Sequence, residues 1–175
     1  MTLALTSTSE AQIASLFQSD LLQFDIDDLI RFEARVKMGQ AAINSAETFS
    51  IGLTSARNDT YTSPTALAVF SLLGSSSTTV LRFETDDNVT DTAPVSTGKT
   101  LINAYKTLAI DFSNGKGDVR PYVDGQPVCL GTAFTMAGYS SGLQVNAMFQ
   151  KASGASVGAV TIDYVRIIAR RPGLR

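Results

Sequence analysis

The sequence predicts an all-β fold, an antiparallel β-sandwich, on three observations. Apolar and polar residues alternate in several short runs, turn-forming clusters separate those runs, and no comparable helical stripe appears. The clearest alternation starts at Ile30: Ile30, Phe32, Ala34, Val36 and Met38 point one way, and Arg31, Glu33, Arg35 and Lys37 the other. That is the pattern of a strand buried on one face. Further runs occur at Phe49, Ile51, Leu53; over Val80 to Thr85; at Leu108, Ile110, Phe112; at Leu143, Val145, Ala147, Phe149; and over Val160 to Ile168. In the last run Val160, Ile162, Val165, Ile167 and Ile168 occupy both faces by simple alternation, which predicts a central or nearly central strand.

One segment is ambiguous. Ser9 to Phe17 places Ile13, Leu16 and Phe17 at helical spacing, yet Leu22, Phe24 and Ile26 directly after it alternate like a strand. Between the strands lie Asp27-Asp28, Gly74-Ser75-Ser76-Ser77, the run from Ser113 to Asp118, Asp124-Gly125, and Ser153-Gly154-Ala155-Ser156. Their recurrence implies antiparallel neighbours, and strands with one polar face each require two sheets packed face to face. Asp124-Gly125, within V-R-P-Y-V-D-G-Q-P-V, predicts a two-residue type I′ hairpin loop. Pro121 and Pro127 flank it without backbone donors, which places that hairpin at a sheet edge or leaves local gaps in its ladder.

The 175 residues suit a single domain, with residues 1–20 as an N-terminal arm and 170–175 as a short basic tail. Hydrophobic residues make up 44% and charged residues 17%, and the net charge of -2 offers no basic field for nucleic acid. The apolar run from Ala66 to Leu73 is too short to span a bilayer, so no membrane partner is expected. No Lys or Arg precedes Arg31, so the positive start of a secretory signal is missing and synthesis in a reducing cytoplasm is expected. Without such a signal the sequons at Asn58 and Asn88 read as polar loop residues. Cys129 is the only cysteine, so the fold is held by packing.

Candidate chemistry is narrow. The chain has no histidine, which removes the usual hydrolase base and, with a single cysteine, the usual Cys/His zinc site. Gly115-Lys116-Gly117-Asp118 lacks the phosphate-loop spacing and reads as a hairpin loop. Two carboxyl groups in a cleft could hydrolyse a glycoside, but Glu33 and Glu84 alternate with large apolar neighbours, so each is expected on a solvated face. No Glu-x-Asp-x-x-Glu array occurs. Asp86, Asp87 and Asp91, or Asp25, Asp27 and Asp28, could supply oxygen ligands to calcium, but neither follows EF-hand spacing and both read as turns. Without tryptophan, Tyr61, Tyr105, Tyr122 and Tyr139 could still stack on a sugar ring, although strand and loop tyrosines commonly serve packing. No catalytic, metal-binding or cofactor-binding residue is assigned on these grounds.

Five segments together carry a family resemblance: Phe24 to Lys37, Ile51 to Asp59, Phe83 to Asn88, Asp118 to Val128 and Val160 to Ile167. They resemble tailed-bacteriophage virion proteins with a concanavalin A-like, laminin-G-like jelly roll. The resemblance implies a non-enzymatic capsid decoration or cement protein, made in the host cytoplasm and bound to the major capsid protein on the outer face of the head, often as a trimer. It implies no cofactor. The loops from Thr54 to Thr65 and from Asn88 to Lys99 are the contact regions such a role would use. The alternatives are a tail or fibre adhesin that recognises a host glycan and, further off, a glycoside hydrolase.

Overall fold

The computed structural model describes residues 1–19, 23–102, 104–154 and 157–170, and these contain strands and turns but no helix. The strands are β1 (Thr2–Ala4), β2 (Gln12–Phe17), β3 (Phe24–Asp25), β4 (Leu29–Met38), β5 (Glu47–Thr54), β6 (Leu67–Leu73) and β7 (Val80–Asp86). They continue with β8 (Asp91–Thr100), β9 (Lys106–Asp111), β10 (Arg120–Val123), β11 (Gln126–Pro127), β12 (Gly142–Lys151) and β13 (Ala159–Ala169). One sheet runs β1-β13-β4-β9-β10-β11 and the other β2-β12-β5-β6-β7-β8, with β3 added alongside β12. Every pairing is antiparallel.

The predicted alternation locates the core. Phe32, Ala34, Val36 and Met38 of β4 meet Phe49, Ile51 and Leu53 of β5 across the sandwich, together with Phe70, Phe83 and Phe149, all fully buried. Phe83 packs edge-on against Phe134 at 4.8 Å between centroids, and Phe49 against Phe149 at 6.5 Å, in the geometry favoured by ring quadrupoles. The Asp124-Gly125 loop has the predicted positive φ at both residues, 51° and 75°, and joins β10 to β11 at the end of its sheet. Aspartate tolerates such an angle and glycine holds it without steric cost, which is why the turn sits there.

Three expectations are corrected. Ser9 to Phe17 is not helical: Gln12–Phe17 pairs with Asn146 to Lys151 as β2, so Ala14 and Leu16 face inward while Ile13 and Phe17 are exposed. Residues 2–4 and 12–17 belong to the two sheets and form no arm; most of the basic tail lies outside the described residues. The β13 strand lies between β1 and β4, but Val160, Ile162, Val165 and Ile167 do not divide between two faces; of the five predicted residues Ile168, opposite Arg31, is the one on the outer side. A register shift between Ile162 and Tyr164 makes Asp163 the extra residue, so Val165 and Ile167 return to the core side with Val160 and Ile162. Period-two reading cannot register a bulge.

Candidate functional site

The outer face of the seven-stranded sheet is not a solvated surface. On β6, Ala68, Phe70 and Leu72 face the sandwich core while Leu67 and Val69 face away from it, yet these last two are only 2% exposed. Tyr61 covers them. The β5–β6 connection folds over the sheet and seats the Tyr61 ring on Leu67, Val69 and Met148, making a second hydrophobic cluster. The connection is closed at its base, where the Ser55 amide donates to the Ala66 carbonyl at 2.8 Å and the Ala66 amide to Ser55 Oγ at 3.1 Å. Asn58 Oδ1 accepts the Thr60 amide at 2.9 Å and turns the chain at its tip. This is a compact Ω-type loop with its own packing residue.

Glu84 lies beneath Tyr61. It neighbours Val69 in the β6–β7 register and is 5% exposed, accepting Ser71 Oγ at 3.2 Å and the Tyr61 hydroxyl. Burial pushes its carboxyl up to about 7, against those two hydrogen bonds, and the nearby Asp91 carboxyl adds to the rise. The Tyr61 hydroxyl is raised too, first by burial and then by the Glu84 charge. Asp86 and Asp91 stand directly opposite one another where β7 turns into β8. Like charges in that position repel, so the pairing is not one that folding alone favours.

These groups share an open cleft of about 190 Å³, lined by Tyr61, Thr62, Leu67, Glu84, Asp86, Asp91, Ala93 and Pro94. Alongside it, Arg82 donates to the Pro94 carbonyl at 3.2 Å and fixes the β8 wall. A carboxyl raised to about 7, beside two further carboxyl groups in one cleft, is equipped to exchange a proton with a bound ligand near neutral pH and to accept hydroxyl hydrogens from it.

The structure redistributes the remaining candidates. Asp87 does not join Asp86 and Asp91; it is buried and accepts the amides of Val89, Thr90 and Gly138. Burial works to raise its carboxyl, but those amides outweigh it and hold it below the ordinary range. Asp25 caps the Asp27 amide, and Asp27 pairs with Lys116 at 3.1 Å. Among the described residues no cluster of three or more His, Cys, Asp or Glu is placed to hold a metal ion. Glu33 lies on the outer face of the other sheet, where it accepts Tyr164 Oη at 2.8 Å and Arg31 at 3.3 Å. Tyr105 is stacked under Arg35 at 4.3 Å, Tyr122 lies under Arg31 at 5.7 Å, and Tyr139 packs on the core with its hydroxyl on the Gly142 carbonyl. Of the four candidate tyrosines, Tyr61 alone lines the carboxyl cleft. The loop expected from Asn88 to Lys99 is mostly strand β8, and that from Thr54 to Thr65 is the cover of the site.

No protein-family model matches this chain, and a search of curated proteins gives no match. Solved structures do match. A Bacillus licheniformis β-glucanase is similar over 97% of this chain and 78% of its own, at 19% identity and a TM-score of 0.66. The fold is a concanavalin A-like jelly roll. One structure from work on endo-acting O-glycanases of the human gut microbiota matches 97% of this chain and 79% of its own, at 9% identity and a TM-score of 0.70. The carbohydrate recognition domain of Emp47p matches 96% and 82%, at 14% identity and a TM-score of 0.65.

These matches correct the expectation of a non-enzymatic protein, because the jelly roll is shared with glycan-cleaving enzymes and carries a buried carboxyl beside two others. The expectation rested on the family resemblance, the absence of histidine and the absence of a catalytic array, and a carboxyl pair was set aside because Glu84 was expected on a solvated face. Alternation along β7 correctly turns Glu84 away from the sandwich core, but nothing in that strand records the loop that covers it. The signal that could have revealed the site is the co-occurrence of Tyr61, in a long connection, with Glu84 and Asp86 at alternate positions of one strand, on the face away from Leu81 and Phe83.

Proposed function

We propose that this chain is a carbohydrate-active jelly roll that binds a glycan in the Tyr61–Glu84 cleft and hydrolyses it, with Glu84 as proton donor. The observation that carries the proposal is the buried Glu84 carboxyl, raised to about 7 and sharing a cleft with Asp86 and Asp91. Glycoside hydrolysis needs that combination, an acid kept protonated and a second carboxyl on the same cleft. The Glu84 proton passes to the glycosidic oxygen as its bond to the anomeric carbon breaks. Water adds to that carbon, and its proton passes to the second carboxyl. Glu84-Thr85-Asp86 is followed three residues on by Val89, so a second carboxyl besides Asp86 comes from across the hairpin, at Asp91.

The likeness to a β-glucanase, to an O-glycanase structure and to a carbohydrate recognition domain supports a glycan ligand. A decoration role draws on no feature of this cleft, whereas the adhesin alternative shares its glycan ligand. Release of reducing sugar from β-glucans and mucin-type O-glycans tests the proposal, with Glu84→Gln as the control. Wild-type activity lost at least a hundredfold in Glu84→Gln is expected. Absence of both glycan binding and sugar release in the wild type would overturn it.

A further inference from the structure

We infer that the cleft takes the neutral terminal sugar of a glycan and excludes an internal stretch of chain. The inference rests on the glycan reading above and concerns the shape of that same site. A chain lying across the strands from Glu84 would pass over Val69, Gly52 and Asn146, which are consecutive neighbours in register across β6, β5 and β12. Strands lie about 4.8 Å apart, so this path is roughly 14 Å long. The Tyr61 ring stands in it, packed on Val69 and Met148 and only 9% exposed.

Tyr61 is a wall and not a platform. Its ring is held from below by the sheet, its hydroxyl by Glu84, and its loop by the paired hydrogen bonds at Ser55 and Ala66. The opposite side of the cleft is open: Asp91 and Ala93 on β8 are exposed. A glycan can therefore enter over β8 and stop at Tyr61. The volume left, about 190 Å³, is below the roughly 300–1,000 Å³ that holds drug-sized ligands and suits one sugar ring.

The lining also sets the charge of that sugar. Glu84, Asp86 and Asp91 supply acceptors for hydroxyl groups, and no lysine or arginine lines the cleft among the described residues. An acidic sugar would meet the Asp86 and Asp91 charges, which Arg82 beside the cleft offsets only in part, so a neutral one is selected.

An array of neutral β-glucan oligosaccharides and mucin-type O-glycans, each present with its terminal sugar free and capped by one further sugar, tests this. Wild-type binding and sugar release are expected on probes with one kind of free terminus, to fall at least tenfold on capping, and to be competed by the free monosaccharide. Tyr61→Ala is expected to restore recognition of the capped probes, while Tyr61→Phe keeps the wall and the terminal selectivity. Equal recognition of free and capped probes by the wild type would overturn the inference and leave glycan binding standing. So would capped probes still rejected by a folded Tyr61→Ala protein. No binding to any probe would remove the glycan reading and the inference with it.

Discussion

The carboxylate of Asp87 accepts the backbone amide of Gly138 at 2.8 Å, joining the β7–β8 turn to the loop that leads into β12. The same side chain accepts the amides of Val89 at 3.0 Å and Thr90 at 2.6 Å. One buried acidic residue thus shapes the hairpin that carries Asp86 and Asp91 and ties it to a segment 51 residues away. Gly138 is required there because a Cβ would lie 2.9 Å from both the Asp87 carboxylate and the Val89 side chain.

Asp87→Ala is expected to destabilise the fold by on the order of 3 kcal/mol, since three amides lose a charged acceptor. Asp87→Asn is expected to cost more than about 1 kcal/mol, because one amide hydrogen then faces another donor. Urea unfolding measures both. A loss below about 0.5 kcal/mol in Asp87→Ala would show that water replaces the carboxylate.

Glu84 makes stability depend on pH. Its carboxyl titrates at an ordinary 4.5 when unfolded and at about 7 when folded, so the folded state holds the proton more tightly. Its contribution is full below about 4.5, declines as pH rises and is gone above about 7. The span corresponds to on the order of 3 kcal/mol. Glu84→Gln is expected to flatten the decline, and to be more stable than wild type near pH 8, in urea melts compared with those near pH 5. An unchanged slope would mean that Glu84 ionises freely.

The hairpin at Asp124-Gly125 separates backbone from side-chain effects. Gly125→Val is expected to cost more than about 1 kcal/mol through the positive φ. Asp124 also accepts Lys106 at 2.7 Å and the Thr107 amide at 2.9 Å, but it is exposed, so Asp124→Asn is expected to cost less than about 1 kcal/mol. Thermal melts should rank the two in that order; the reverse order would place the stability of the turn in its ion pair.

The bulge at Asp163 gives a sharper contrast. Asp163→Ala removes only an exposed pair with Arg35 at 2.6 Å and is expected to cost less than about 1 kcal/mol. Deleting Asp163 takes out the extra residue and leaves Ile162, Tyr164 and Val165 opposite Val36, Arg35 and Ala34 in unbroken register, so Val165 and Ile167 stay inward and folding is expected to survive. Inserting one alanine between Tyr164 and Val165 instead turns them outward and is expected to give a protein that fails to fold or exposes dye-binding apolar surface. An insertion variant melting like wild type, or a deletion variant that does not fold, would show that the phase of this strand is not set by the extra residue.

The two sheets were legible because β4, β5, β9 and β12 carry large apolar residues at alternate positions on their core side, and the hairpin was legible because Asp-Gly has few other uses. The β13 facing was misread at a single inserted residue. The site was less visible, for a physical reason: Glu84, Ser71 and Tyr61 are brought together by loop closure and by pairing between strands, and neither leaves a periodic trace. Asp86 and Asp87, adjacent in sequence and alike in composition, separate in role because one faces the cleft and the other is taken up by backbone amides.

The order of strands in the two sheets bears on how the chain is made. The late strand β12 lies between β2 and β5, and β13 lies between β1 and β4. A nascent chain leaving the ribosome therefore has β2 and β5 without their common neighbour until residue 151 emerges, and β1 and β4 without theirs until residue 169. Vectorial synthesis holds these early strands with unpaired edges through most of translation, the state most prone to associate with a neighbouring copy. Yield on overexpression should accordingly respond more to temperature and chaperone supply than to surface substitutions on the finished sandwich.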